Sequence, residues 1–394
     1  MLLGIATAQE SLDVRLIGVC DMPLTVHSTG VAVAGDYACL SCWGDPPDSV
    51  QGLHVISIAD PTHPVEVGYC YTPEQPYRVT AAGDYAYVAD ATAGLRVISV
   101  SDPAHPVEVG YYDTPGRTFD ATVSGDYAYV ADGDSGLRVI SVADSAHPFE
   151  LGRCDTIGSA RCVAVSGADA YVAGSNFSVI SVADPSHPVV VGELRGRGGN
   201  CVAVSGYYAY TGGLIIRIAD PAHPIDVGTL GDGAAGVLAA GSHLYAAAGA
   251  HGMEVFTLAD PGNPAMVGYY RQSGRDAEAV VVAGAYVYVA NDNHGLQILE
   301  YNGAGVAEET MSDEREAMSS GPSIVRGVLV LEAVVSRQQT IDRGQLLDAA
   351  GRKVMDLRTG ANDVSRLAPG VYFVRQTSSV RREASSVTKV LVTR

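Results

Sequence analysis

Short runs of apolar residues, four to six long, alternate with turns rich in glycine, aspartate and proline along the first 301 residues. Runs of this length between turn residues predict short β-strands. In one unit the pattern predicts strands at residues 79–82, 85–89, 95–100 and 107–112. No stretch keeps a helical period, so the sequence predicts an all-β fold.

The four-strand unit recurs seven times, and a glycine marks the turn between the first two strands of each copy. Successive glycines lie 48, 42, 42, 39, 35 and 43 residues apart, a period typical of the four-stranded blade of a β-propeller. Most copies also join their last two strands by the turn Asp-Pro-x-His-Pro. Its histidine repeats from blade to blade, which favours a role in the turn over a shared site. These histidines are His63, His105, His147, His187 and His223.

The seventh unit ends after its third strand, at residues 296–301, whereas a strand resembling a fourth one stands near the N-terminus. The segment Arg15-Leu-Ile-Gly-Val-Cys20 matches Val65-Glu-Val-Gly-Tyr-Cys70. We therefore predict that the N-terminal strand completes the last blade and closes a seven-bladed propeller over residues 12–301, which leaves no open radial edge.

The repeated strand Leu95-Arg-Val-Ile-Ser-Val100 and its copies resemble the LVIVD repeat family. The resemblance covers roughly residues 12–301. It implies a β-propeller of a kind that occurs in surface and secreted proteins. It implies no catalytic residues, because the family has no established shared activity.

Residues 302–322 are aperiodic and rich in Glu, Ser, Met and Gly, which predicts a linker. Beyond it, the run Leu346-Leu-Asp-Ala-Ala-Gly-Arg-Lys-Val354, then Gly360-Ala-Asn362, Leu367-Ala-Pro-Gly-Val-Tyr-Phe373 and Lys389-Val-Leu-Val392 resembles a type IX secretion C-terminal sorting domain. The resemblance implies that residues 323–394 form a small β-sandwich that engages the secretion machinery. A plain accessory β-sandwich is the alternative.

The other end of the chain and the charge distribution bear on location and partners. Residues 1–11 resemble the end of a signal peptide with Ala6-Thr7-Ala8 as cleavage site, or else a disordered start. We therefore expect export through the periplasm to the outer cell surface or the medium. No apolar run is long enough for a transmembrane segment. Residues 1–322 carry 13 basic and 38 acidic side chains, against 12 and 6 in residues 323–394, so the acidic ring makes nucleic acid a poor partner.

One end of the ring is predicted to gather polar loop residues. His27, His251 and His294 fall in neighbouring blades near Glu278 and Asp292, a combination that suits proton transfer or a divalent cation. Ordinary polar loop residues are the alternative. Trp43, in the longest loop of the first blade, is either a stacking platform for a ligand or a lid folded onto the blade.

The starts of the first strands are predicted to line the mouth of the central channel, where their side chains would bind a small polar ligand or pair with one another and plug the axis. These residues are Arg78, Asp120, Arg161, Asn200 and Glu278. Two loops resemble part of a calcium loop without its bidentate glutamate. They make metal candidates of Asp132, Asp134, Asn291 and Asp292.

Three functions fit these patterns. The sequence favours a non-enzymatic module that binds a protein, peptide or glycan through the face with His27 and Trp43. A secreted hydrolase or lyase would instead use His251 or His294 as base with Glu278 or Asp292 as partner. A structural or adhesion spacer would need no site. No nucleophile elbow, phosphate-binding loop or zinc-ligand spacing is present in the sequence, and the only cofactor the residues suggest is a divalent cation.

Overall fold

The computed structural model describes residues 9–23, 25–44, 50–156, 158–231, 233–272 and 274–302, and beyond these the backbone of seven strands between residues 323 and 392. The chain divides into two compact units, Met1–Glu309 and Thr310–Arg394. Each unit is described by itself.

The first unit is a ring of seven antiparallel sheets, or blades, in which each strand pairs with the next along the chain, so that the all-β seven-bladed propeller is confirmed. The N-terminal segment supplies β1 (Gln9–Leu12) and β2 (Val14–Cys20). Blade 1 consists of β3 (Val26–Ala34), β4 (Tyr37–Gly44), β5 (Gly52–Ser57) and β6 (Val65–Tyr71). Blade 2 consists of β7 (Arg78–Ala82), β8 (Tyr85–Ala89), β9 (Leu95–Ser99) and β10 (Val107–Tyr112). Blade 3 consists of β11 (Asp120–Ser124), β12 (Tyr127–Ala131), β13 (Leu137–Ser141) and β14 (Phe149–Cys154).

The remaining blades follow the same order. Blades 4 and 5 consist of β15 (Ala160–Ser166), β16 (Asp169–Gly174), β17 (Phe177–Ser181) and β18 (Val189–Leu194); and β19 (Val202–Ser205), β20 (Tyr208–Thr211), β21 (Leu214–Arg217) and β22 (Ile225–Thr229). Blades 6 and 7 consist of β23 (Gly236–Ala240), β24 (His243–Ala247), β25 (Met253–Thr257) and β26 (Ala265–Gln272); and β27 (Ala277–Ala283), β28 (Tyr286–Asn291) and β29 (Gly295–Tyr301), with a 3-10 turn at Asp292–His294.

The N-terminal strand closes the ring as the sequence predicts. Strand β2 pairs antiparallel with β29, from Val14 opposite Tyr301 to Cys20 opposite Leu296. The side chains of Arg15 and Glu300 add an ion pair at 2.6 Å across this seam. Blade 7 therefore takes its outer strand from the opposite end of the propeller sequence.

A second N-terminal strand was not predicted. Strand β1 pairs antiparallel with β26 from Gln9 opposite Gln272 to Leu12 opposite Tyr269, and so adds a fifth strand to blade 6. It begins inside the segment 1–11 that the sequence assigned to a signal-peptide remnant. Asp13, with a positive φ of 52°, separates β1 from β2, so the N-terminal segment joins the outer edges of two adjacent blades.

The hydrophobic core is divided among the clefts between blades. Among the described residues, seven clusters of buried side chains each combine two neighbouring blades. The cluster between blades 7 and 1 includes Leu40, Ile56, Tyr288 and Ile298. Because successive side chains of a strand point to opposite faces and both faces of a blade are covered, the middle strands read as continuous apolar runs.

We call the end of the ring that holds the Asp-Pro turns the lower face. In each of these turns a backbone N–H that has no ladder partner donates to the aspartate side chain, as Thr62 N does to Asp60 Oδ1 at 3.0 Å. The histidine ring closes the turn, since His63 Nδ1 lies 3.1 Å from Asp60 Oδ2. The other four turn histidines repeat this contact, and all five are exposed. The repeated histidine therefore belongs to the turn.

Several outer strands contain a recurring glycine that lies close to the turn of the next blade. A Cβ added to Gly192 would lie 2.1 Å from Pro221 O, in the Asp-Pro turn of the next blade. Gly68, Gly110 and Gly152 meet the turn of their neighbouring blade in the same way. The glycine of one repeat and the turn of the next thus form a single inter-blade contact.

The described part of the second unit contains seven strands, β30 (Ser323–Val325), β31 (Val328–Leu331), β32 (Arg343–Leu347), β33 (Lys353–Arg358), β34 (Gly360–Asp363), β35 (Gly370–Thr377) and β36 (Val387–Val392). They pair into two antiparallel sheets, a three-stranded one with the order β30-β31-β34 and a four-stranded one with the order β33-β32-β35-β36. The predicted sorting role of residues 323–394 stays a prediction.

The close contact between the outer-strand glycine and the next blade predicts that a methyl group added at the glycine destabilises the fold. Gly192→Ala should lower the free energy of unfolding by about 1–3 kcal/mol, because the added Cβ must displace backbone of blade 5. Chemical denaturation followed by circular dichroism measures this loss.

Gly228→Ala is the matched control, because it stands at the equivalent place in blade 5. Its nearest contact for an added Cβ is 3.7 Å, to Ile215 Cδ1, and no steric strain follows. Equal destabilisation by the two substitutions would contradict the proposed role of the close approach.

Candidate functional site

The upper face of the ring, opposite the Asp-Pro turns, holds the starts of the first strands and the loops between the second and third strands. Strand register defines one layer of residues around the axis there, since Arg78, Asp120 and Cys162 lie opposite Ala89, Ala131 and Ala173 of the neighbouring strands. By the same register the other members are small. The full layer is Gly30, Arg78, Asp120, Cys162, Cys201, Gly236 and Ala279.

This layer corrects the predicted channel mouth in three blades. Arg161 and Glu278 fall at β-bulges, between Ala160 and Cys162 and between Ala277 and Ala279. Asn200 lies just before β19. A bulge inserts one residue and turns its side chain away from the regular alternation. The comparison of repeats within the chain therefore predicted, in these three blades, the residue one position before the one that lies in the layer. Arg161, Asn200 and Glu278 lie at the rim instead.

Arg78 spans the axis. Its guanidinium donates from Nη1 to the carbonyl of Glu278 at 3.1 Å and from Nη2 to the carbonyl of Ala235 at 2.6 Å. These acceptors belong to blade 7 and to the start of blade 6, so blade 2 is tied across the ring. The small residues at the layer positions of blades 1, 6 and 7 leave the space that this side chain occupies.

Asp120 also locks blades together. Its Oδ2 accepts a hydrogen bond from Val163 N of blade 4 at 3.0 Å, and its Oδ1 accepts one from Ala121 N. Similar links follow the ring, as Thr80 Oγ1 donates to Ala121 O and Thr122 Oγ1 donates to Val163 O. Below this layer the axis holds a cavity of about 470 Å³ lined mainly by Val and Ala side chains of the first strands.

His27, Trp43 and Asp292 meet where blades 7 and 1 adjoin, a group we call the His27 cluster. His27 and Trp43 are opposite each other in the β3–β4 pair, and their rings stack with centroids 4.1 Å apart and planes at 20°. His27 Nδ1 lies 2.6 Å from Asp292 Oδ1. Asp292 is itself positioned by Asn293 Nδ2, which donates to its Oδ2 at 2.9 Å. The indole is half-buried, one face resting on the imidazole.

Glu278 is the ionisable rim residue beside this cluster. Burial raises the pKa of its carboxyl, and Asp292 and Asp276 raise it further, whereas Arg78 and His27 lower it. The protonated form is therefore favoured relative to an ordinary glutamate.

The other two candidate histidines have different surroundings. His294 Nδ1 is buried and has no hydrogen-bond partner among the described residues, and burial lowers the pKa of its imidazole. Arg275, which pairs with Asp21 at 2.7 Å, donates to the backbone carbonyl of His294. His251 is exposed in blade 6, where its carbonyl accepts a hydrogen bond from Arg271.

The metal candidates lie in two loops, one in blade 3 and one in blade 7. Asp132 is fully buried, and its carboxylate accepts hydrogen bonds from Thr114 Oγ1, Thr118 Oγ1 and Gly116 N. Asp134 is exposed, whereas Asn291 is buried and donates to Val289 O. Within the described part of the chain, no group of three or more His, Cys, Asp or Glu side chains is arranged to hold a metal ion.

Sequence reasoning missed a group on the rim of blades 2 to 4. Tyr77 and Phe119, each just before the layer residue of its blade, have ring centroids 5.1 Å apart, and Arg117 lies over both rings. Arg161 lies over Phe119 from the next blade. The signal was available, because aromatic residues occupy the same slot in two consecutive repeats.

Asp90 is the blade 2 equivalent of Asp132, but it lacks both of the hydroxyl donors that Asp132 Oδ1 has. Pro76 takes the position of Thr118, and the hydroxyl of Thr72, at the position of Thr114, is unpaired, so Asp90 Oδ1 has no hydrogen-bond partner among the described residues. Its Oδ2 accepts from Glu74 N at 3.1 Å and lies 4.0 Å from Arg96 Nε. Burial raises the pKa of Asp90 to about 6.

The ring of four-stranded sheets and its rim of polar side chains define a β-propeller repeat protein. The LVIVD repeat matches residues 27–72, 77–114, 115–156, 157–195, 197–232 and 274–300. The chain belongs to the LVIVD repeat family. Each of the first five matches corresponds to one blade and begins within five residues of the start of its first strand, and blade 6 lies outside the matched ranges.

Solved structures give the same architecture. The computationally designed Ika8 protein is similar at 9% identity and a TM-score of 0.50, over 72% of this chain and 99% of that chain. Sqt1 of Saccharomyces cerevisiae is similar at 8% identity and a TM-score of 0.50, over 72% of this chain and 98% of that chain. At such identity these similarities show the fold alone. A search of curated protein sequences gave no match. Among the described residues, no helix has the length and apolar character needed to cross a membrane.

The environment of Asp90 predicts a stability that depends on pH. Its pKa rises from 3.8 to about 6 on folding, so the folded state binds the proton more tightly and stability falls as pH rises from about 4 to about 6. Between pH 7 and pH 5 this group should add roughly 1 kcal/mol to the free energy of unfolding. Denaturant titrations at the two pH values measure the difference.

Asp90→Asn should remove this increment, because the amide does not titrate. Asp84→Asn, in the exposed turn of the same blade, is the control and should leave the increment unchanged. An identical pH response in wild type and Asp90→Asn would contradict the assignment.

Proposed function

We propose that this protein is an exported, non-enzymatic binding module that takes a protein, peptide or glycan ligand on the upper face of its propeller. The observation that carries the proposal is the His27 cluster. A half-exposed tryptophan rests on a histidine whose orientation a carboxylate fixes at 2.6 Å. Rigid aromatic surface flanked by polar groups is characteristic of recognition sites, because little conformational entropy is lost on binding.

The surroundings of the candidate acid–base groups support binding over catalysis. A hydrolase or lyase needs a base that reaches its substrate, a nucleophile or ion beside it, and a site that excludes water. His294 Nδ1 is buried, and Arg78 and Asp120 bond to backbone groups of other blades. The polar groups of this face serve chiefly to hold blades and one another in place.

Export is the second part of the proposal. It is supported by the resemblance of residues 346–392 to a type IX sorting domain and by the short apolar segment before Ala6-Thr7-Ala8. The basic character of residues 323–394, against the acidic ring, fits two regions with separate tasks. A secreted or surface-held propeller would present its upper face to ligands outside the cell.

Trp43→Ala should weaken ligand binding at least about tenfold, since a stacked aromatic contact at a binding hot spot contributes 1.4 kcal/mol or more. Glycan and peptide arrays probed with wild type identify ligands, and titration calorimetry with the strongest of them measures the loss in the variant.

Tyr207→Ala is the matched control, because Tyr207 is an aromatic residue 70% exposed on the lower face. Its removal should leave affinity unchanged. Equal losses in both variants, or an array without any ligand, would refute the binding role of the His27 cluster and favour a spacer.

Removal of residues 323–394 should retain the protein inside cells of a host with a type IX system, because the sorting signal would be lost. Immunoblots of cells and medium measure the distribution. Thermal unfolding of the retained ring checks that it is folded. Secretion of the truncated protein at the level of the full chain would refute the sorting role.

A further inference from the structure

Two arginines on the upper rim lack the acidic partners that most other exposed arginines of the described ring have. Of the twelve arginines in the described ring, eight form an ion pair with a carboxylate. Arg78 bonds to carbonyls across the axis. Arg117 and Arg161, both exposed, have no ion pair with any described residue, and neither has Arg217 at the lower end of blade 5. On a surface with a large acidic excess, unpaired neighbouring cations need an explanation.

Neutral groups hold these two guanidinium groups in place. Arg117 Nη2 donates to Gln75 Oε1 at 3.2 Å and to the hydroxyl of Tyr77. Arg161 Nη1 donates to Asn200 Oδ1 at 2.9 Å. Amide and phenol oxygens orient a guanidinium without cancelling its charge.

Both guanidinium groups lie beside the same aromatic ring. The guanidinium carbons of Arg117 and Arg161 lie 5.9 and 5.8 Å from the centroid of the Phe119 ring. Cation–π attraction to this ring restricts each side chain and leaves N–H donors for another group. Two adjacent blades therefore each place a cation beside Phe119.

Such a pair suits a planar oxyanion, because the guanidinium fork matches a carboxylate in bidentate geometry. The surrounding ring carries a strong negative charge, which disfavours a ligand with many anionic groups. A ligand with an isolated carboxylate avoids this repulsion. The residues around the arginines add amide and hydroxyl groups and two half-buried aromatic rings.

We propose that Arg117, Arg161, Tyr77, Phe119 and Asn200 form a subsite for a carboxylated sugar, with the carboxylate on the arginines and the sugar hydroxyls on the amides. Aromatic rings pack against the C–H face of a sugar. The rim is open, which suits a sugar, whereas the side chain of a C-terminal peptide residue needs an enclosed pocket. The subsite rests on the proposed function only in sharing the upper face. It uses none of the His27 cluster.

The test compares ligands that differ in one carboxylate. 4-Nitrophenyl β-D-glucuronide and 4-nitrophenyl β-D-glucoside are titrated into the full chain by calorimetry at low salt. We expect the glucuronide to bind at least about tenfold more tightly, as loss of one charge-assisted contact predicts. Equal affinity of the two, or no binding of the glucuronide, would overturn the proposal.

Variants then locate the site. Arg117→Gln and Arg161→Gln should each weaken glucuronide binding about tenfold or more and leave the melting temperature unchanged. Arg217→Gln makes the same change in charge at the lower face and should have no effect. Equal weakening by all three variants would mean a general charge effect and would overturn the subsite.

A second titration tests whether the carboxylate comes from the C-terminus of a peptide instead of from a sugar. N-acetyl-Gly-Phe with a free carboxylate is compared with its amide. Tighter, Arg117-dependent binding of the peptide than of the glucuronide would overturn the sugar assignment. The array experiment tests the His27 cluster through Trp43, whereas this titration tests the subsite through Arg117 and Arg161. A negative result for one proposal therefore leaves the other proposal open to its own test.

Discussion

Burial of both faces of every blade is the constraint on which this structure depends. A blade packs against two neighbours, and each cleft holds its own cluster of apolar side chains. An open ring would leave two faces and one unpaired edge in water. The β2–β29 pair removes this cost by completing blade 7 with a strand from the start of the chain, and β1 extends the same segment to blade 6.

The two ends of the ring use polar residues differently. On the lower face, aspartate and histidine repeat because most blades use the same turn, and glycine repeats where an outer strand closely approaches the turn of the next blade, as at Gly68, Gly110, Gly152 and Gly192. On the upper face the residues differ from blade to blade. Arg78, Asp120 and the threonines near them link blades through backbone groups, whereas the His27 cluster and the Arg117–Arg161 pair are each built once.

Pairs of equivalent positions show how small differences change local chemistry. Asp90 and Asp132 face a buried arginine in the same way, yet Pro76 in place of a threonine and an unpaired Thr72 hydroxyl leave one Asp90 oxygen without a donor. Bulges act similarly on the first strands, because one inserted residue moves Arg161 and Glu278 from the channel to the rim. Small departures from the repeat therefore decide which side chains remain available for a ligand.

The sequence by itself determined the β-propeller, the count of seven blades and the closure by residues near Ile17, because these follow from strand period, turn chemistry and the missing fourth strand. It also identified most upper-face residues, since equivalent repeats place them at equivalent heights. It missed β1, whose four residues carry no strong strand pattern, and the Tyr77–Phe119 group. Only the tertiary structure decided which residues of different blades meet: the stacking of Trp43 on His27, the reach of Arg78 across the axis and the pairing of Arg117 and Arg161 over one ring. These contacts join residues far apart in sequence, and their geometry depends on blade angle and on bulges that the repeat pattern does not specify.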